Sequence, residues 1–204
     1  MSARQNYPAA FDGAEATALY TRRGARKYLN HGERRRVLAA LRALPVERAL
    51  FVETLFWSGA RISEVLALRP CDFQIAEGLV TLRTLKRRRF SLREVPLPPA
   101  LIRALDRHFC FAHGEHGARL WPWHRATAWR IVHHVMRLAE VNGVCATPRG
   151  MRHGFAVAAL QAGVPVTLVQ RWLGHARLST TSIYAAASGP EERRFAEGVW
   201  LRAA

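Results

Sequence analysis

Residues 147 to 184 read TPRGMRHGFAVAALQAGVPVTLVQRWLGHARLSTTSIY, and the punctuation of this stretch predicts consecutive short helices carrying Arg149, Arg152, His153, His175 and Tyr184. Gly163 followed by Val164 and Pro165 marks a helix stop and a helix start, because Gly suits the residue past a C-cap and Pro the first helical turn. Gly174 closes the next helix in the same way. Ser179, Thr180 and Thr181 are N-cap types expected to open the helix that holds Tyr184. Arg152, His175 and Tyr184 are therefore expected near element ends, converging there rather than lying buried along a core stripe. A stretch with these side chains reads as an active site.

The order of these residues resembles the C-terminal box of the tyrosine recombinases, also called phage integrases. That box runs His-x-x-Arg-His, then Leu-Gly-His, then a tyrosine. Here Arg152-His153, Leu173-Gly174-His175 and Tyr184, nine residues after His175, fall at the same spacings. The Thr180-Thr181 pair and the aliphatic Ile183 before the tyrosine match as well. One position departs, since Arg149 stands where the box has its first histidine.

Working outward, residues 59–68, GARISEVLAL, predict a short helix with Arg61 at its mouth and Ile62, Val65 and Leu66 facing inward. Taken alone, Arg61 is a solvated N-terminal residue or the i, i+3 partner of Glu64. In the recombinases Gly-x-Arg-x-x-Glu carries the first catalytic arginine, and Arg61 and Glu64 match it, with Leu68 and Asp72 in the places that follow. Residues 79–97 alternate around Lys86-Arg87-Arg88-Arg89 and predict an antiparallel hairpin with a basic tip. Such a tip is ordinarily a solvated loop. The family, however, places its catalytic lysine on a β-hairpin, and Lys86 stands there in a chain whose basic residues are otherwise arginine apart from Lys27. The hairpin is longer than in many relatives.

Residues 1–22 read as an arm, with order expected from near Lys27. Asn30 and Glu33 form a capping box for an amphipathic helix through Leu44, with Val37, Leu38 and Leu41 on one face. Pro45 starts a largely buried helix through Ser58, which Gly59 ends. A helix from Pro98 to about His113, an extended Leu120-Trp121 and a helix from about Arg125 to Val141 follow. The resemblance lays this last helix near DNA, and Arg125, Arg130, His133, His134 and Arg137 suit phosphate contacts as well as they suit a solvated face. Glu191 to Leu201 predicts a terminal helix with Phe195, Val199 and Trp200 at apolar spacing, packing either in cis or on a neighbouring protomer.

The chain has 204 residues, half of them hydrophobic, enough for one domain with a proper core. A formal net charge of +16 implies a polyanionic partner. Nucleic acid fits best, because phosphates neutralised by Arg or Lys release counterions and that release drives binding. Cys71, Cys110 and Cys145 are isolated and odd in number, which suits a reduced cytosol and no disulfide framework. No segment reaches membrane-spanning length and the first residues lack the apolar run of a signal peptide. A cytoplasmic, nucleoid-associated bacterial protein is expected. His113 with His116, or His133 with His134, lack a second ligand pair, so no metal site is assigned.

The resemblance covers about residues 24–187 and implies a mainly α fold with a small antiparallel hairpin or sheet, the tyrosine recombinase catalytic domain, over residues 23–188, followed by a C-terminal helix over 189–204. It implies a site-specific recombinase that cleaves and rejoins double-stranded DNA through a 3′-phosphotyrosyl link, with no cofactor. Tyr184 would be the nucleophile, Arg61 and Arg152 the phosphate clamps, Lys86 the general acid and His175 a phosphate ligand, supported by Glu64 and His153. Arg149 would supply charge where the family has histidine, and Arg87, Arg88, Arg89, Arg125, Arg130 and Arg137 would contact DNA. Partners would be further protomers in a synaptic tetramer and an accessory DNA-bending protein. The family usually adds an N-terminal helical clamp domain, and the organisation here is similar to that of the short fimbrial phase-variation invertases. Two other readings stay open: a non-cleaving DNA-binding regulator on the same scaffold, and a type IB topoisomerase-like enzyme.

Overall fold

Helix ends in this chain are set by local chemistry, and the capping signals locate them. A computed structural model describes residues 19–84, 91–111 and 117–186. Lys86, Arg87, Arg88 and Arg89, the arm up to residue 18 and the terminal helix expected over 191–201 lie outside the described residues. Helix α1 spans His31–Ala40 behind the expected capping box, in which Glu33 N–H donates to Asn30 Oδ1 at 2.8 Å and Asn30 N–H to Glu33 Oε2 at 2.8 Å. A 3₁₀ turn over Leu41–Ala43 completes it. Helix α2, Val46–Ser58, buries Leu50, Phe51, Val52, Leu55 and Phe56. Its Thr54 and Ser58 hydroxyls, also buried, donate to the carbonyls one turn back, so no polar group is stranded. Gly59 ends α2 in the left-handed conformation with φ 59°.

Helix α3 is one turn, Ile62–Val65, with Arg61 as its N-cap. Strands β1 (Phe73–Gln74), β2 (Leu79–Arg83) and β3 (Leu92–Pro96) form an antiparallel sheet in that order, with Val80 opposite Val95 and Leu82 opposite Arg93. The hairpin is thus present, and β1 is an added edge strand whose two residues are too few to show alternation. Helix α4, Pro99–Phe109, and helix α5, Arg125–Leu138, flank α2. Between them Trp121 is fully buried against Phe51 and Phe109, and its indole N–H donates to the Glu47 carbonyl at 3.2 Å.

Helix α6, Pro148–Gln161, is capped by the Thr147 hydroxyl, which accepts from Gly150 N–H at 3.0 Å. Helix α7, Val166–Leu173, starts after Pro165 and ends at Gly174, φ 63°. Helix α8, Ser179–Ser182, is followed by a 3₁₀ turn, Ile183–Ala186, that carries Tyr184. Two apolar clusters result. The larger surrounds α2, and a smaller one gathers Leu19, Tyr28, Phe155, Val157, Val169, Leu173 and Tyr184 between α6, α7 and the ends of the described chain. Packing begins before Lys27, since Leu19 is buried and Tyr20 bridges to Arg26. No helix among the described residues is long and apolar enough to cross a membrane.

Two expectations for the C-terminal stretch need correction. Arg152, His153 and Tyr184 do lie within the buried part of the molecule, at 7%, 9% and 1% exposure. Arg152 sits inside a 14-residue helix rather than at an element end. The cap of α8 is Leu178, whose side chain has no acceptor to offer, and Thr181 lies within the helix with its hydroxyl against His175 Nδ1.

Gly59 carries a direct test. A Cβ there would penetrate the Phe155 ring on α6 while forcing a non-glycine residue to positive φ. Gly59→Ala should therefore cost about 2–4 kcal/mol in urea unfolding, the sum of backbone strain and overpacking. A loss under about 0.5 kcal/mol, the range of an ordinary surface change, would contradict this packing.

Candidate active site

The C-terminal ends of α2 and α7 meet at one point, and arginines satisfy their carbonyls. Helix C-termini leave C=O groups without intrahelical partners and carry partial negative charge, so cations settle there. Arg152 donates from Nη1 to the Gly59 carbonyl at 2.8 Å, at the end of α2, and from Nη2 to the Leu173 carbonyl at 2.6 Å, at the end of α7. Arg93, reaching across from β3, donates from Nε to the neighbouring Trp172 carbonyl at 2.6 Å. The αL turn at Gly174 leaves the room in which the Arg93 guanidinium packs.

Glu64 holds the arginines together. Its carboxylate is completely buried, accepts from Arg61 Nη1 at 2.8 Å and from Arg93 Nη2 at 2.5 Å, and takes the Arg61 backbone N–H at 2.8 Å. Burial alone would raise its pKa. The hydrogen bonds and charge of Arg93, with the backbone N–H and charge of Arg61, outweigh that and hold the carboxyl below the ordinary range. Arg93 is itself buried and also donates to the Thr84 hydroxyl at 3.2 Å. The Arg61 side chain remains 28% exposed and so keeps one flank open to a ligand.

Two histidines and the tyrosine line the other side. His175 Nδ1 lies 3.0 Å from the Thr181 hydroxyl, which leaves Nε2 as the ring nitrogen able to meet a ligand. Its ring is nearly parallel to that of Tyr184, with centroids 6.3 Å apart. Burial, then the charges of Arg152 and Arg61, lower its pKa to about 3. The Tyr184 hydroxyl lies 2.8 Å from His153 Nδ1. Burial, then the charges of Arg149, Arg152 and Lys27, lower His153 to about 4. Burial also raises the Tyr184 phenol, against the pull of Arg152, Arg149 and Arg61. Burial and the nearby Arg61 lower even Arg152, to about 9. At neutral pH the cluster therefore consists of charged guanidiniums, one carboxylate, two neutral imidazoles and a protonated phenol, an arrangement suited to gripping an anion beside a hydroxyl nucleophile.

Of the residues singled out in the sequence, Arg61, Glu64, Arg152, His153, His175 and Tyr184 are brought together. Arg149 is exposed in the first turn of α6, at the rim, with its charge felt by His153 and Tyr184. Lys86, Arg87, Arg88 and Arg89 lie outside the described residues. They spring from Thr84 and Ser91, which line a hollow of about 270 Å³ together with Arg93, Gln170, Gly174 and His175. Arg130 and Arg137 line a separate hollow with Arg48, Ile131 and His134, and Arg125 is exposed at the start of α5. Sequence reasoning missed Arg93, and it gave Thr181 a capping role where the structure sets it beside His175. The signal for Arg93 was its phase: in LREVP it shares the inward face with Val95, and a charge on the buried face of a strand demands a partner.

A family model described as Phage integrase family matches residues 27–190. Tyrosine recombinase XerA of Pyrococcus furiosus is 29% identical over 169 residues, covering 78% of this chain and 56% of that protein. The chain thus spans little more than half the length of the relatives it matches. The crystal structure of XerA recombinase superposes with a TM-score of 0.70 at 23% identity, over 82% of this chain and 63% of the other. XerH recombinase bound to difH substrate in a pre-cleavage complex gives 0.67 at 22%, over 85% and 54%.

The buried pair makes a pH-dependent prediction. Arg93→Met strands Glu64 beside a single guanidinium and should cost about 3–5 kcal/mol at pH 7. Glu64 has its pKa depressed on folding, so its contribution is present above the unfolded carboxylate value and lost as pH falls through the folded one. The deficit of Arg93→Met should accordingly shrink as pH drops below the carboxylate range, where a protonated Glu64 no longer needs its partner. Urea unfolding at a series of pH values reads this, and a deficit constant with pH would refute it.

Proposed function

The chain belongs to the phage integrase family, and on that premise we propose that it is a site-specific DNA recombinase that breaks and rejoins double-stranded DNA through a 3′-phosphotyrosyl intermediate. The single observation that carries the reading is the Tyr184 hydroxyl placed in one cluster with Arg152, Arg61 and His175, whose charges and hydrogen bonds suit a phosphodiester. A phosphodiester is an anion attacked by an oxygen nucleophile, so catalysis needs charge neutralisation first. Arg61 and Arg152 hold the non-bridging oxygens and stabilise the pentacoordinate transition state. His175 donates from Nε2 to the same phosphate. Tyr184 attacks phosphorus, and the covalent link stores the energy of the broken bond, so rejoining needs no nucleotide cofactor. Lys86 protonates the leaving 5′-oxygen, a task open to an ammonium and closed to a guanidinium. Arg149 adds fixed charge at the rim. Glu64 and Arg93 position Arg61 without touching substrate.

DNA is the partner that the charge supports, and XerH, a structural relative, is described bound to its difH substrate. Arg87, Arg88 and Arg89, between β2 and β3 in sequence, and Arg125, Arg130 and Arg137 on α5 contact the duplex. Strand exchange proceeds in a tetramer of protomers on DNA, helped by a DNA-bending protein. Residues 23–188 form the catalytic domain, and residues 189–204 a C-terminal helix that packs either in cis or on a neighbouring protomer. Arg149 in place of the family's histidine favours, as a second reading, a regulator that binds DNA and does not cut it.

A nicked duplex that traps the covalent intermediate separates the two readings. Tyr184→Phe should abolish covalent attachment while duplex binding stays within about threefold, because only the nucleophilic oxygen is lost. An adduct persisting in this variant, or none with the parent protein, would overturn the assignment. Lys86→Ala should cleave about 10²-fold to 10⁴-fold more slowly, the worth of a positioned general acid. A 5′-bridging sulfur, whose thiolate leaves unprotonated, should restore that rate, and failure to do so would remove Lys86 from the role.

A further inference from the structure

Arg149 stands where the family's box has its first histidine, and a guanidinium has no lone pair with which to take a proton. The proton of Tyr184 must nevertheless leave as the oxygen attacks. On the geometry of α6 we propose that His153 is a catalytic residue, accepting the Tyr184 proton at Nδ1 during cleavage and returning it during rejoining. This rests on the recombinase reading above.

The contact is direct: Nδ1 and the phenolic oxygen are 2.8 Å apart, both side chains are buried, and they come from segments 31 residues apart in sequence. For Nδ1 to accept, the neutral ring carries its hydrogen on Nε2. The groups facing this imidazole are Arg149 and Arg152 from its own helix, Lys27 from the segment before α1, and Tyr184 and His175 from the C-terminal segments. The three cations and burial keep the ring neutral, so a vacant acceptor is present throughout the neutral range. Arg149 thereby contributes to the same step without touching the proton.

The electrons and protons balance. The phenol O–H bond breaks and its proton passes to Nδ1, the oxygen's electron pair forms the bond to phosphorus, and the P–O5′ bond breaks as O5′ takes up a proton from the general acid of the recombinase reading. An imidazole of such low basicity would not deprotonate a free phenol. As the O–P bond forms, however, the phenolic oxygen becomes an aryl ester oxygen and loses its own basicity, so transfer becomes favourable late in the attack. In the reverse direction a weak base is a strong conjugate acid. The His153 imidazolium then delivers its proton readily to the departing phenolate, which balances cleavage against rejoining.

The test uses the full chain and nicked duplexes selected from a randomised pool by covalent capture on the parent protein. Failure of the parent to capture any duplex would overturn the recombinase reading, and this inference with it. Given capture, His153→Gln should form adduct about 10²-fold to 10⁴-fold more slowly and lose the ascending limb of the parent's pH–rate profile, with duplex binding unchanged. In His153→Ala, added imidazole should restore rate by entering the space beside Tyr184. A His153→Gln rate within about threefold of the parent, or a slow rate with the parent's pH profile and no response to imidazole, would overturn the proposal in favour of an orienting role. If either variant fails to fold, ¹⁵N resonances of the parent protein decide. His153 should be neutral in the free protein and protonated when orthovanadate is bound at Tyr184, and a ring neutral in both states would equally overturn it.

Discussion

The Glu64 carboxylate is the point on which the site depends. A carboxylate with no exposure survives only if both oxygens are matched by charge and hydrogen bonds, and here two guanidiniums and a backbone N–H supply the match. In meeting that need, Arg93 ties the β-sheet to α3, to the Thr84 end of the hairpin and to the Trp172 carbonyl of α7. Arg61 is turned in the same act, with one flank anchored and the other free. With Arg152 close enough to feel the same carboxylate, three guanidiniums stand against one negative charge, and the surplus is what an incoming anion would neutralise.

That surplus sets the character of everything near it. Two imidazoles that would titrate close to neutrality in water are kept uncharged, chiefly by burial and then by arginines. A phenol is kept protonated by its apolar layer although the same arginines favour its anion. The titratable groups kept neutral thus stand beside the groups that hold charge, and the two sets differ in type.

Much of this was legible in the sequence, and the reasons differ by residue. Asn30 with Glu33, Gly59 and Gly174 announced helix ends, because capping and positive φ are local demands that few residues meet. The Arg61–Glu64 pairing followed from i, i+3 spacing, and the hairpin from alternation. What stayed hidden depends on distant partners. Nothing local reveals that Arg93 finds Glu64 from 29 residues away, that Tyr184 packs with Leu19 and Tyr28, or that Thr181 leaves its expected capping duty for His175. The strand β1 escaped because two residues cannot display a period.

Arg152 has one further meaning. Its two terminal nitrogens reach carbonyls that are 93 and 21 residues away along the chain, one at the end of α2 and one at the end of α7. A guanidinium is flat and rigid, so it acts as a gauge block between the early and late halves of the domain. Only when both halves have arrived at the right spacing does the fork lie where a phosphate can use it. A partly folded chain carries every one of these side chains and still lacks their arrangement, so the cluster and the assembled domain arise together.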